Sequence, residues 1–311
     1  MSFASLLHGL GVILGLYLLI KGSDWFVEGA ASIALKRGVS QHLIGFTLVA
    51  FATSLPELAT TVVSRAAGEA DLAVGNILGS NVANIGLVLG FAALFLPIKS
   101  NREVRRDAVF MLFSTLLLAA FLYLTRSLDI IMGAIFLITY GIYLRYLSKD
   151  VMKNSDNGPT LPKSSIKKEV VLLLLGFVLL TFGAEVLVKS SIKLAEDFSV
   201  STGVIGLSIV AIGTSFPEFA TSLTAALKKK EGIAIGNVLG SNAINLLLIL
   251  GVLGTSYGLT GVGVKGYVIG TILPLLLLIT AIEFLFSFRT QSRAHGVLLL
   301  ALYAVFLYVI F

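Results

Sequence analysis

Apolar runs of about 20 residues recur along the whole chain, each long enough to cross a bilayer as a helix. They are too long and too continuously apolar for barrel strands, which alternate. Lipid offers backbone groups no partners, so the pattern predicts an all-α membrane protein. Ten transmembrane helices are expected, near 5–25, 39–64, 72–97, 107–125, 128–147, 168–190, 199–227, 232–256, 263–287 and 294–311. The one long polar stretch, 148–167, holds Asp156, Asn157, Gly158, Pro159 and Pro162. It reads as a cytoplasmic linker between a first five-helix repeat, 1–147, and a second, 168–311.

Composition sharpens this. Only 13% of the 311 residues are charged and 57% are apolar, whereas a soluble domain carries about a quarter charged residues. The absence of cysteine excludes disulfides and thiolate metal sites. His8, His42 and His295 are scattered without ligand spacing and read as interfacial or packed. The net charge of +6 is read as loop charge, not as a nucleic-acid footprint. No basic stretch precedes residues 6–20 and no small-residue cleavage site follows, so they are expected to be a first span. With the N-terminus outside, 18 of the 23 Lys and Arg residues fall in cytoplasmic connections and 5 outside. The positive-inside rule then places both termini outside a cell membrane.

The chain also matches itself at an offset of 161 residues. Residues 50–57, AFATSLPE, align with 211–218, AIGTSFPE; residues 75–84, GNILGSNVAN, align with 236–245, GNVLGSNAIN. Five spans per half put the second copy in opposite orientation, an inverted repeat of the kind secondary transporters use around a mid-membrane site. Close helix packing accounts for Gly75, Gly79 and Ser80. It does not account for a matched pair of carboxylates, Glu57 and Glu218, deep in apolar spans.

A charge at that depth costs roughly 2.5 kcal/mol or far more, so it faces a cavity, a partner or an ion. No Lys or Arg stands at a comparable depth in the sequence, which favours a bound cation. Pro56 and Pro217 lack an N–H and are expected to break the helix, releasing the carbonyls of Ala52 and Gly213. Thr53 and Thr214 are expected to cap the restarted half-helices. Hydroxyls of Thr53, Ser54, Thr214 and Ser215, with Ser80 and Ser241, surround the acids. Amides of Asn76, Asn81, Asn84, Asn237, Asn242 and Asn245 follow. Every candidate ligand is a hard oxygen, which selects Ca²⁺, Mg²⁺, Mn²⁺, Na⁺ or H⁺ over zinc or copper. Two carboxylates neutralise one divalent ion, and mutually exclusive occupancy by monovalent ions is a physical basis for antiport.

The two motifs, G-T-S-x-P-E and G-N-x-x-G-S-N, resemble the alpha-repeats of the cation/calcium exchanger superfamily, most closely its prokaryotic sodium/calcium exchanger branch. The resemblance covers nearly the whole chain. It implies exchange of Ca²⁺ for Na⁺ by alternating access, with Glu57 and Glu218 as ligands shared by both ions. The Thr53 and Thr214 carbonyls would complete the Ca²⁺ site. Ser80 with the Ala50 carbonyl, and Ser241 with the Ala211 carbonyl, would serve flanking Na⁺ sites. Asn84 and Asn245 would line the middle, and the first and sixth spans would slide across the bundle. Two positions depart from the family pattern: Ala52 stands where glycine is usual, and Asn245 where several exchangers carry aspartate.

A proton-coupled Ca²⁺, Mg²⁺ or Mn²⁺ antiporter is the alternative, and a cation channel a further one. An intramembrane enzyme is disfavoured: H-E-x-x-H does not occur, and the one G-x-S-x-G match, residues 254–258, falls at the end of the expected helix 232–256 and not on a strand-to-helix turn. No cofactor, nucleic acid or obligatory protein partner is expected beyond the ions and the bilayer. Asp24 and Glu185, matched across the repeat, read as interfacial; Glu283 receives no role, and Lys228, Lys229 and Lys230 read as a topology signal.

Overall fold

The computed structural model describes residues 3–155, 166–198 and 213–310. The first half holds α1 (Phe3–Arg37), a broken second span of α2 (41–53) and α3 (Leu55–Ala66), then α4 (Ala70–Phe95), α5 (Arg102–Thr125) and α6 (Ile130–Ser155). The second half holds α7 (Lys167–Asp197), α8 (Phe216–Leu227), α9 (Glu231–Ser256), α10 (Val268–Phe286) and α11 (Arg293–Ile310). Among the described residues, nine helices are long and apolar enough to cross a membrane. The expected span 199–227 is described only from Gly213 onward, where α8 forms its second part.

The first span is longer than expected. It was predicted to end near residue 25 and continues to Arg37. Phe26, Val27, Ala30 and Ala34 are buried along the extension, while Glu28 and Lys36 find ionic partners on Lys230 and Glu169. Lys21 therefore lies within a helix, its amine 5.8 Å from the centre of the Trp25 ring. The fifth span likewise runs on to Ser155 and the sixth to Asp197.

α1 and α7 lie antiparallel with their backbones in contact. Gly15 meets Leu187, Gly22 meets Leu180 and Gly29 meets Leu173, each step of seven in α1 matched by seven back in α7. A Cβ on Gly22 would stand 2.4 Å from the Leu180 nitrogen, so only glycine permits this approach. α1 packs chiefly on α7, and the two form one unit beside the remaining helices.

Those helices enclose α4 and α9, the most buried spans. α9 seats on α2 through Gly236 and Gly240; a Cβ on Gly240 would lie 2.2 Å from the Phe46 carbonyl oxygen. Both central spans widen into π-helical turns, Asn84–Leu89 and Ile244–Ile249, a distortion that frequently marks functional sites. A two-residue ladder, β1 (Ser127–Leu128) with β2 (Val262–Gly263), ties the α5–α6 turn to the α9–α10 turn.

Two buried acids away from the centre are held by histidine. Asp107 accepts hydrogen bonds from Arg106 and Tyr143 and pairs with His42 at 2.7 Å. Glu283 accepts from Gln291 and stands 3.1 Å from His295. Both groups are satisfied locally, in keeping with the expense of a bare charge at membrane depth.

Candidate cation site

The break in the second span falls at Ser54 (φ −83°, ψ 4°), and its repeat mate Ser215 adopts φ −88°, ψ 5°. This bridge-region backbone ends one helix and starts another. The expectation that Thr53 and Thr214 cap the restarted helices is not met. Ser54 and Ser215 occupy the cap positions, and neither makes a side-chain cap bond. Proline fills the second position of each half-helix, where its missing N–H is no loss, and that shifts the cap one residue on. The Ser54 and Ser215 carbonyls accept from Leu58 and Phe219 at 3.1 and 3.0 Å.

This places Glu57 and Glu218 in the first turns of α3 and α8. Helix N-termini favour negative charge, so the break supports the carboxylates it introduces. Both residues are fully buried. The two carboxylate oxygens of Glu57 and Oε2 of Glu218 have no hydrogen-bond partner, and Ser54 Oγ donates to Glu218 Oε1 at 3.4 Å. Ser80 and Ser215 lie beside Glu57; Thr53 and Ser54 lie beside Glu218. Glu218 is thus flanked by hydroxyls of the first half, and Glu57 by one hydroxyl from each half. Among the described residues no Lys or Arg forms an ion pair with either acid.

The amides divide by use. Asn237 Oδ1 accepts from Thr53 Oγ1 at 3.1 Å and its Nδ2 donates to Ser222 at 2.9 Å. The mate contact, Thr214 Oγ1 to Asn76 Oδ1, spans 3.4 Å. Asn242 accepts from Asn84 Nδ2 at 3.0 Å and donates to the Asn81 carbonyl at 3.2 Å. Asn76, Asn237 and Asn242 therefore carry bonds that join the halves. Asn84 Oδ1, and both polar atoms of the Asn245 amide, are buried without partners, as is Ser80 Oγ. Ser241 Oγ stands 3.4 Å from Thr53 Oγ1. The structure brings Thr53, Ser54, Glu57, Ser80, Ser215, Glu218 and Ser241 together, and these residues, with Asn84 and Asn245, are all buried. Ala50 is buried too, but its carbonyl already accepts from Ser54 N–H at 3.0 Å and Thr53 Oγ1 at 3.3 Å. Ala211 lies outside the described residues.

Thr61 escaped the sequence reading. It is buried with an unpartnered hydroxyl, four residues after Glu57 and so on the same helix face. That spacing was the available signal. A cavity of about 650 Å³ opens beside the site between α3, α7 and the start of α8, lined by Pro56, Ala59, Thr60, Glu185, Lys189 and Pro217 among others. Orphaned carboxylate, amide and hydroxyl oxygens around two buried acids suit a dehydrated hard cation. Among the described residues no three or more His, Cys, Asp or Glu side chains are grouped so that they could hold a metal ion.

The sequence pattern of the sodium/calcium exchanger protein family matches residues 7–149 and 168–311. The chain belongs to that family. It is 34% identical to the sodium/calcium exchanger MaX1 of Methanosarcina acetivorans, over 96% of this chain and 97% of that protein. It is 35% identical to membrane protein MJ0091 of Methanocaldococcus jannaschii, over 96% and 97% of the two chains. The solved structure of the sodium-calcium exchanger NCX_Mj soaked with 2.5 mM Na⁺ and 10 mM Sr²⁺ superposes with a TM-score of 0.83. Identity there is 32%, covering 97% of this chain and 98% of that one. As a member of the sodium/calcium exchanger family the protein is a multi-pass membrane transporter and not an enzyme.

Proposed function

We propose that the protein exchanges Ca²⁺ for Na⁺ across the cell membrane by alternating access, with Glu57 and Glu218 as ligands common to both ions. The observation that carries this reading is the pair of fully buried, repeat-related carboxylates whose oxygens lack partners. One Ca²⁺ neutralises the pair; Na⁺ ions reach the same neutrality only by displacing it. Ser80, Ser241, Asn84 and Asn245 supply further oxygens, together with the carbonyls of Thr53 and Thr214. Ser54 and Ser215 close the shell. The Ala50 carbonyl joins a flanking Na⁺ site once it exchanges its present helix bonds. The matching Ala211 carbonyl serves the other flanking site.

Asn245 is an amide that does not ionise. The core therefore holds two acids, and the bound-ion charge is set against two negative charges. Membership of the sodium/calcium exchanger family supports Na⁺ over H⁺ as coupling ion, and the hydroxyl-rich shell suits Na⁺. Both termini lie outside and the 148–167 linker is cytoplasmic, on the distribution of Lys and Arg. The test is ⁴⁵Ca²⁺ uptake into proteoliposomes loaded with Na⁺ and diluted into Na⁺-free medium. Uptake that requires internal Na⁺ supports the exchange. Uptake driven by a pH gradient without Na⁺ supports proton coupling instead, and a leak needing neither gradient supports a channel.

A further inference from the structure

The two ends of the α1–α7 unit are not held alike. Near the end of α8, Lys228 Nζ stands 2.6 Å from Asp24 and 3.4 Å from Glu28 of α1, and Lys230 Nζ stands 2.9 Å from Glu28. Ser23 and Thr224 share a hydrogen bond of 2.8 Å one turn deeper. Partial burial works against the Lys228 charge, but the hydrogen bond and charge of Asp24, with Glu28 behind it, hold its pKa above the usual lysine value.

The repeat offset places Ala184, Glu185 and Lys189 of α7 opposite Ser23, Asp24 and Glu28, and Val63, Ala67 and Glu69 opposite Thr224, Lys228 and Lys230. The Ser23–Thr224 bond would become Ala184 against Val63, and Lys228 has only Ala67 as its mate. One contact survives with its charges exchanged: Glu28–Lys230 maps onto Lys189–Glu69. In this structure Lys189 instead folds back on Glu185 of its own helix at 2.5 Å. Both residues line the 650 Å³ cavity, so the unlatched face of the α1–α7 unit is the face that is open.

In an inverted repeat, alternating access exchanges the surroundings of the two related halves. We propose that Lys228 and Lys230 are positioning residues of the transport cycle. They latch Asp24 and Glu28 of α1 to the end of α8 and hold the α3–α7 passage open. They release before the opposite passage opens, when Lys189 exchanges Glu185 for Glu69. The latch rests on the protein being an alternating-access transporter. It does not depend on which ion drives exchange.

Because the chain has no cysteine, accessibility can be read at single introduced thiols. Ala59→Cys lines the cavity, and Leu259→Cys, on a connection at 82% exposure, controls for reagent. Labelling by a charged thiol reagent is measured on purified protein in detergent without Ca²⁺ or Na⁺. The Ala59→Cys rate should hold in Lys228→Arg, fall about twofold or more in Lys228→Gln, and fall further in Lys228→Glu, the scale expected for a few partly exposed ion pairs. Asp24→Asn reaches the same latch from α1 and should reproduce the Lys228→Gln rate. In Lys228→Glu, a Glu69→Cys and Lys189→Cys pair should form a disulfide under an added thiol oxidant faster than the same pair does in the parent. Equal Ala59→Cys rates across the series, or rates that rise when Lys228 loses its charge, overturn the latch. Since labelling needs no transported ion, these outcomes stand apart from any failure of Na⁺-driven uptake.

Discussion

Thr53 donates its hydroxyl to the amide oxygen of Asn237 at 3.1 Å, joining the broken span of the first half to the central helix of the second. The repeat mates Thr214 and Asn76 stand 3.4 Å apart. This bond ties the segment that carries Glu57 to a helix of the opposed half. Thr53→Val keeps the shape and strands Asn237 Oδ1 in the core, at a cost of about 1–3 kcal/mol. The expected result is a lower unfolding temperature in detergent and weaker apparent Ca²⁺ affinity. Thr214→Val should show a smaller effect by the same assays.

Gly240→Ala should be far more damaging than its chemistry suggests. The new methyl would stand 2.2 Å from the Phe46 carbonyl and 2.7 Å from Ala50 Cβ, so α9 and α2 must separate at the site. Loss of Ca²⁺ uptake with reduced folded yield is expected. Gly141→Ala, whose added methyl meets nothing within 4 Å, should leave both unchanged or slightly improve yield.

Glu283, bonded to Gln291 and beside His295, is expected to serve structure and not transport. Glu283→Leu leaves Gln291 and His295 without their shared acceptor, which should cost about 1–3 kcal/mol. Thermal unfolding should report that loss, while uptake per folded molecule in proteoliposomes stays at the parent level. A change in apparent Ca²⁺ affinity would place Glu283 in the transport path instead.

Asn245→Asp adds a third acid to a core with two. Once ionised it strengthens attraction for a divalent cation. Apparent Ca²⁺ affinity in the variant is therefore expected to rise from acid to alkaline pH more steeply than in the parent. Parallel pH profiles of uptake would show that residue 245 does not face the ion.

The acids were legible because a charge in an apolar run is expensive and the repeat marks both copies. The half-helix break was legible from Pro56 and Pro217, though its cap fell on Ser54 and Ser215 and not on the threonines. What stayed hidden depends on contacts between distant segments. Nothing local assigns Asn237 and Asn242 to interface bonds while Asn84 Oδ1 and the Asn245 amide stay unpartnered; that division follows from contacts between residues 158 to 184 positions apart in the chain. The length of α1 was missed for a related reason. Its charges, Asp24 and Glu28, look like the end of a span until Lys228 and Lys230 are seen to pair with them.

The most direct measurement is equilibrium binding of ⁴⁵Ca²⁺ to the purified protein, with Na⁺ as competitor, in the parent and in Glu57→Gln and Glu218→Gln. The shared site requires that Na⁺ displace Ca²⁺ from the parent and that each single variant lose Ca²⁺ binding while remaining folded. Ca²⁺ binding that survives either substitution, or that Na⁺ leaves untouched, would contradict it.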